Sequence, residues 1–170
     1  MPEPRPPAAS PQRRTSDADA RELSPLARLV HTLGEEKIRF QIAGMSGVVL
    51  QGVPATTLDT AIWLDLPSRQ YMRVLNLCRR LGATLRANTV VELNDGSIVN
   101  VLYQVHGVRS FSYEYKRAKK LEWLGIQVAV LPLERIYASK KLVGRPKDLA
   151  HLPLLEQTME LQRRLNRREQ

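Results

Sequence analysis

Apolar residues in this chain alternate between helical spacing and strict period-two spacing, and the switches between them mark most of the elements. Ser24 and Pro25 supply an N-cap and an N1 proline for a first helix carrying Leu26, Leu29, Val30 and Leu33, with Gly34 as its expected stop. Lys37 to Ala43 then alternates, predicting a strand with Ile38, Phe40 and Ile42 inward. Gly44 to Gly52 reads as a glycine turn opening a short helix, which Gly52 and Pro54 end. Thr60 to Leu66 is rich in β-branched and aromatic residues and predicts a second strand closed by Pro67. Ser68 caps a helix from Arg69 to Leu81 that finishes at Gly82.

Beyond it, Thr84 to Leu93 and Ser97 to Val105 flank Asn94-Asp95-Gly96, a strong hairpin signal. Phe111 to Leu124 is mixed, with helical spacing over its later part, while its first residues could instead be extended. Gly125 precedes an apolar strand from Ile126 to Leu131, and two helices follow, Leu133 to Val143 and Pro146 to roughly Arg168. The order α-β-α-β-α-β-β-(α)-β-α-α predicts an α/β (α+β) fold, a mixed sheet flanked by helices.

Residues 1–20 carry almost no large apolar side chain, so burial cannot offset their ordering entropy; they are expected to form a disordered tail, leaving one domain over 21–170. The full chain of 170 residues suits a single core. Charge alters this picture: 26 Lys+Arg against 17 Asp+Glu give +9, which favours polyanionic partners such as nucleotides or nucleic acid. A solvated basic surface would account for the charge equally well. From Arg109 to Lys147 there are ten basic residues and three acidic ones, so the excess lies in the C-terminal half.

Other chemistry is sparse. Cys78 is a lone cysteine at helical spacing from Leu75, expected to be a buried thiol in a reducing, cytoplasmic setting. His31, His106 and His151 lack ligand spacing and are given no role. No apolar run approaches the roughly 20 residues that span a bilayer, so no membrane partner is expected.

Four segments together carry a resemblance over about residues 38–155: Ile42-Ala43-Gly44-Met45-Ser46, Thr57-Leu58-Asp59-Thr60-Ala61-Ile62-Trp63, Ser97 to Leu102, and Lys140 through Leu149. In their order and spacing they resemble the DNA polymerase β-like nucleotidyltransferases, in the branch of small bacterial members. The resemblance implies that Gly44 and Ser46 stand where a helix N-terminus cradles phosphate, and that Lys140, Arg145 and Lys147 neutralise phosphate charge. A solvated basic helix is the alternative for those three cations. It also implies Mg²⁺, held by an Asp-x-Asp pair and a third Asp on a following strand.

Asp59 matches the first of those carboxylates, while the second falls on Ala61 and the third on Asn100. Ala43 and Ala55 also replace family residues, the first glycine of the turn and an arginine. Asp65 shares the parity of Asp59 but lies roughly 13 Å beyond Ala61 along an extended strand, too far to share ions. Glu92 on the hairpin is expected to face solvent. Taken alone, Asp59 reads as a strand-end residue hydrogen-bonded to Thr57 or Thr60; Asp148, near the start of the last helix, reads as structural.

Two functions follow. The chain is expected either to transfer a nucleotidyl group from a nucleoside triphosphate to a small-molecule, RNA or protein acceptor, with Asp59 as catalytic metal ligand, or to retain nucleotide or phosphate binding with a degenerate site. A noncatalytic regulatory protein with an RNA or protein partner is the alternative.

Overall fold

The computed structural model describes residues 23–65 and 68–170. The expected tail, and the close of the second strand at Leu66 and Pro67, lie outside the described residues. Among these residues six helices and seven strands follow one another as α1 (Pro25–Glu35), β1 (Phe40–Ala43), α2 (Gly44–Leu50), β2 (Asp59–Leu64), α3 (Ser68–Arg80), β3 (Thr84–Ala87), β4 (Val90–Glu92), β5 (Ile98–Leu102), α4 (Phe111–Arg117), β6 (Lys119–Trp123), β7 (Ile126–Val130), α5 (Leu133–Val143) and α6 (Pro146–Arg168). The strands form one mixed sheet in the order β3-β4-β5-β2-β1-β7-β6. β2 runs antiparallel to β1 and parallel to β5, and β1 is parallel to β7.

Alternation along these strands builds two cores. On one face Ile42, Ile62, Leu64, Val99, Val101, Val128 and Val130 pack with Leu29 and Leu33 of α1 and Val74 and Leu77 of α3. On the other, Ala43 and Trp63 pack with Val48 of α2, Phe111 of α4, Ile136 of α5, and Leu155 and Met159 of α6. Both faces of the central strands are covered, so β1 is buried at all four positions, Gln41 included. Gln41 donates to Phe111 O at 3.3 Å.

Three expectations need correction. Gly34 does not end α1: the helix runs through it, and Lys37 takes the left-handed conformation (φ 55°) that turns the chain into β1. The stretch 84–93 is not one strand, because it folds back at Asn88-Thr89 into the β3–β4 hairpin, with a register shift between Leu85 and Ala87. Finally, the helix and the extended part of 111–124 come in reverse order. Ser110 Oγ accepts from Tyr113 N at 3.3 Å and starts α4 at Phe111, after which Lys119–Trp123 pairs antiparallel with β7. That second hairpin turns on Leu124 and Gly125, both at positive φ (53° and 81°).

Candidate functional site

The site lies where β1 ends and α2 begins. Gly44 adopts φ 55°, and a Cβ placed there would meet Ala61 Cβ at 3.2 Å, so the turn lies directly against β2. Ser46 fixes that approach. Its hydroxyl donates to Ala43 O at 2.8 Å and accepts from Ala61 N at 2.9 Å, and the residue is buried. This serine therefore ties the turn to the strand.

Asp59, Ala61 and Trp63 share the sheet face that α2, α5 and α6 cover, since Trp63 belongs to that core. β2 and β5 pair in parallel with Ala61 opposite Asn100. The three positions of the resemblance thus converge on one face. Asp59 is exposed at the strand's first residue, and Thr57 Oγ1 donates to its Oδ1 at 3.0 Å and shares its carbonyl at 3.0 Å. Ala61 offers no ligand atom. The Asn100 Oδ1 is buried and finds no hydrogen-bond partner among the described residues. An acceptor left that way costs about 1–3 kcal/mol.

Magnesium demands near-octahedral oxygen coordination, and a pair of ions needs several carboxylates between them. One exposed carboxylate and one neutral amide do not fit that requirement. Among the described residues no three His, Cys, Asp or Glu side chains are grouped to hold a metal. Asp65 pairs instead with Arg39, and Glu92 with Arg86 across the β3–β4 hairpin.

Beside these strands a cleft of about 380 Å³ opens between the β1–α2 turn and the last two helices. Gly44, Lys140 and Arg145 line it, together with Asp148, Gln104, His106 and Ser139. Lys147 is exposed on α6 and does not line it. The basic residues are organised around Asp148, which is almost fully buried. Lys140 Nζ approaches Asp148 Oδ1 at 3.3 Å and His151 Nδ1 at 3.4 Å, while Arg145 Nε donates to Asp148 Oδ2 at 2.7 Å.

Burial alone would raise the Asp148 pKa, but the Arg145 hydrogen bond and the Lys140 charge outweigh it and hold the carboxyl below its ordinary value. Lys140 is lowered, chiefly by desolvation, with Asp148 opposing. His151 is lowered by burial and then by the Lys140 charge. The Cys78 thiol is buried, as expected, and desolvation pushes it up to about 11.

Sequence reasoning missed a second buried carboxylate. Glu114 accepts from Arg135 Nε at 3.1 and 3.0 Å and from Arg109 N at 3.0 Å. Burial pushes its pKa up, yet the Arg135 hydrogen bonds win and hold it low. It clamps α4 to α5. It also missed His106 and Gln104 in the cleft, which follow β5 in a loop without local periodicity.

No protein-family model matches the chain, and no curated protein matches it in sequence. Solved structures do match in fold. The lincomycin-bound lincosamide antibiotic adenylyltransferase LnuA is 12% identical, with a TM-score of 0.56 over 79% of this chain and 97% of that one. The antibiotic-resistance factor ANT(2'')-Ia is 12% identical, with a TM-score of 0.54 over 89% of this chain and 94% of its own. A protein from Thermotoga maritima, provisionally named a nucleotidyltransferase, is 19% identical, with a TM-score of 0.52 over 84% and 91%. The chain therefore has the fold of the DNA polymerase β-like nucleotidyltransferases.

Proposed function

We propose that this protein binds a nucleotide through its phosphates in the cleft beside Gly44 and does so without the metal-dependent transfer chemistry of its fold. The observation that carries this reading is the pairing of Ala61 with Asn100 where two carboxylates would be needed, next to a cleft that keeps its cations. Lys140 has three N–H donors, of which Asp148 and His151 engage two. Arg145 is half exposed and keeps donors beyond those that Asp148 accepts. Asp148 holds both cations in place before a ligand arrives, which lowers the ordering cost of binding. Lys147 sits outside the cleft and would add only long-range charge.

Nucleotidyl transfer to a small-molecule, RNA or protein acceptor is the second reading, and the fold shared with an adenylyltransferase favours it. Among the fold neighbours LnuA is an adenylyltransferase of lincosamide antibiotics, so a small hydroxylic acceptor would be the first to try. The lone buried thiol of Cys78 supports a cytoplasmic setting. Among the described residues no helix is long and apolar enough to cross a membrane.

The test is calorimetry with ATP, GTP, CTP and UTP in EDTA and again with Mg²⁺. Binding that persists in EDTA and weakens at least tenfold in Lys140→Ala/Arg145→Ala is expected, since a hydrogen bond to a charged group contributes about 1.5–3 kcal/mol. If none of the four nucleotides binds, the proposal fails. Label transferred from any of them to an acceptor with Mg²⁺ or Mn²⁺ would replace it with the enzyme reading.

A further inference from the structure

A second groove lies at the other end of β1. It has a volume of about 360 Å³, and every charged residue lining it is basic: Lys37, Arg39 and Lys120. Tyr115 and Gln127 complete its polar wall. The cleft described above touches β1 at Ala43, whereas this groove touches it at Phe40 and the residues before it. The two sites share no residue.

Its chemistry is that of cations set on an aromatic ring. Lys120 Nζ stands 4.2 Å from the Tyr115 ring centroid, and the Arg39 guanidinium carbon stands 5.4 Å from it. Tyr115 itself stacks on Phe111, with centroids 5.3 Å apart and planes at 22°, so its ring is braced from behind. Arg39 is braced as well, by the ion pair with Asp65 and by the Phe111 ring at 5.7 Å. Lys37 occupies a left-handed position (φ 55°) where glycine would be relaxed, at a cost of about 1–2 kcal/mol. Local stability does not explain a lysine there. Two acidic neighbours oppose this charge: Asp65, paired with Arg39, and Glu122, opposite Gln127 in the β6–β7 ladder.

We propose that this groove binds single-stranded nucleic acid, with backbone phosphates on Lys37, Arg39 and Lys120 and one base against Tyr115 in the place the Lys120 ammonium now takes. Phosphate attraction together with an aromatic platform is the combination that sequence-tolerant single-strand sites use. The exposed lysines can swing from ring to phosphate at little cost, while the braced ring and Arg39 stay in position. The proposal is independent of the nucleotide reading of the cleft.

Fluorescence anisotropy of labelled U10 and dT10 on the full chain tests it. With three phosphates neutralised the salt slope is about −2, so affinity should fall roughly 20-fold between 50 and 200 mM salt. Lys37→Glu/Lys120→Glu should weaken binding at least tenfold and flatten that slope, and Glu122→Gln should tighten it. Tyr115→Leu keeps an apolar contact with Phe111 and should weaken binding severalfold; its melting temperature and circular dichroism confirm folding. A preference for U10 over dT10 would assign the ligand as RNA, and the reverse as DNA, either supporting the site. A duplex bound as tightly as the single strand would overturn the proposal, as would no binding at 50 mM salt. It would also be overturned if Lys37→Glu/Lys120→Glu bound like the wild type, or if Lys140→Ala/Arg145→Ala alone abolished binding, which would move the strand to the cleft.

Discussion

Restoring carboxylates at the paired strand positions tests why the site differs from a two-metal centre. In Ala61→Asp/Asn100→Asp the two new side chains face each other across β2 and β5. Neighbouring strands lie about 4.8 Å apart. Two carboxylates at about 5 Å repel by roughly 3 kcal/mol at an effective dielectric of 20. Asp59 adds little, because it is exposed and screened. Without metal the double variant should therefore melt about 6–12 °C below the wild type, at about 2–4 °C per kcal/mol for a chain of this size. With Mg²⁺ at a hundred times its Kd, about 2.7 kcal/mol returns and most of the difference disappears. Thermal melts in EDTA and in Mg²⁺, for wild type and variant together, provide the readout. A wild type that gains as much from Mg²⁺ as the double variant refutes the reasoning, because it would mean that Asp59 and Asn100 already hold the ions.

Three further outcomes follow from the same geometry. Ser46→Ala leaves the Ala61 N–H without its acceptor and should cost about 1–3 kcal/mol in urea denaturation. Asp148→Asn removes the anion between Lys140 and Arg145 and should cost about 3 kcal/mol at pH 7. Because the folded pKa of Asp148 is depressed, its contribution is present above its unfolded value of about 3.9 and is lost as pH falls through the folded value; urea midpoints measured from pH 6 down to pH 2 should therefore fall less steeply in the variant. Glu114→Gln weakens the clamp between α4 and α5 and should lower stability by about 2 kcal/mol, whereas Glu156→Gln, whose carboxylate meets Tyr137 at an exposed position, should change it by less than about 0.5 kcal/mol in the same assay.

Where an element is set by its own residues, the sequence was sufficient. α5 and α6 run over the expected residues because proline opens α6 and Gly144, at φ 64°, closes α5. β2 and β5 were legible for the same reason, and their pairing brought Asp59, Ala61 and Asn100 to one face as the resemblance implied. Turn chemistry was harder to read. Asn88-Thr89 is a weaker hairpin signal than Asn94-Asp95-Gly96, so two strands read as one. In 111–124 the i, i+2 placement of Leu121 and Trp123 and the cap at Ser110 were present in the sequence, yet the period was assigned to the wrong half. The Glu114–Arg135 pair and the Lys140–Asp148–His151 group could not be read, because their partners are set by how helices pack. Nor did the basic excess show that it divides between two grooves at opposite ends of β1.

The position of β1 in the sheet has a consequence for how the chain is made. Its neighbour β2 follows within about twenty residues, but its other neighbour, β7, begins only at Ile126. During synthesis the edge formed by Phe40–Ala43 therefore waits, unpaired and apolar, for more than eighty residues. α6 comes later still, and its Gln162 Nε2 donates to Gln51 O at 3.0 Å at the end of α2. A ribosome paused before β7 would present an open sheet edge to chaperones or to other nascent chains.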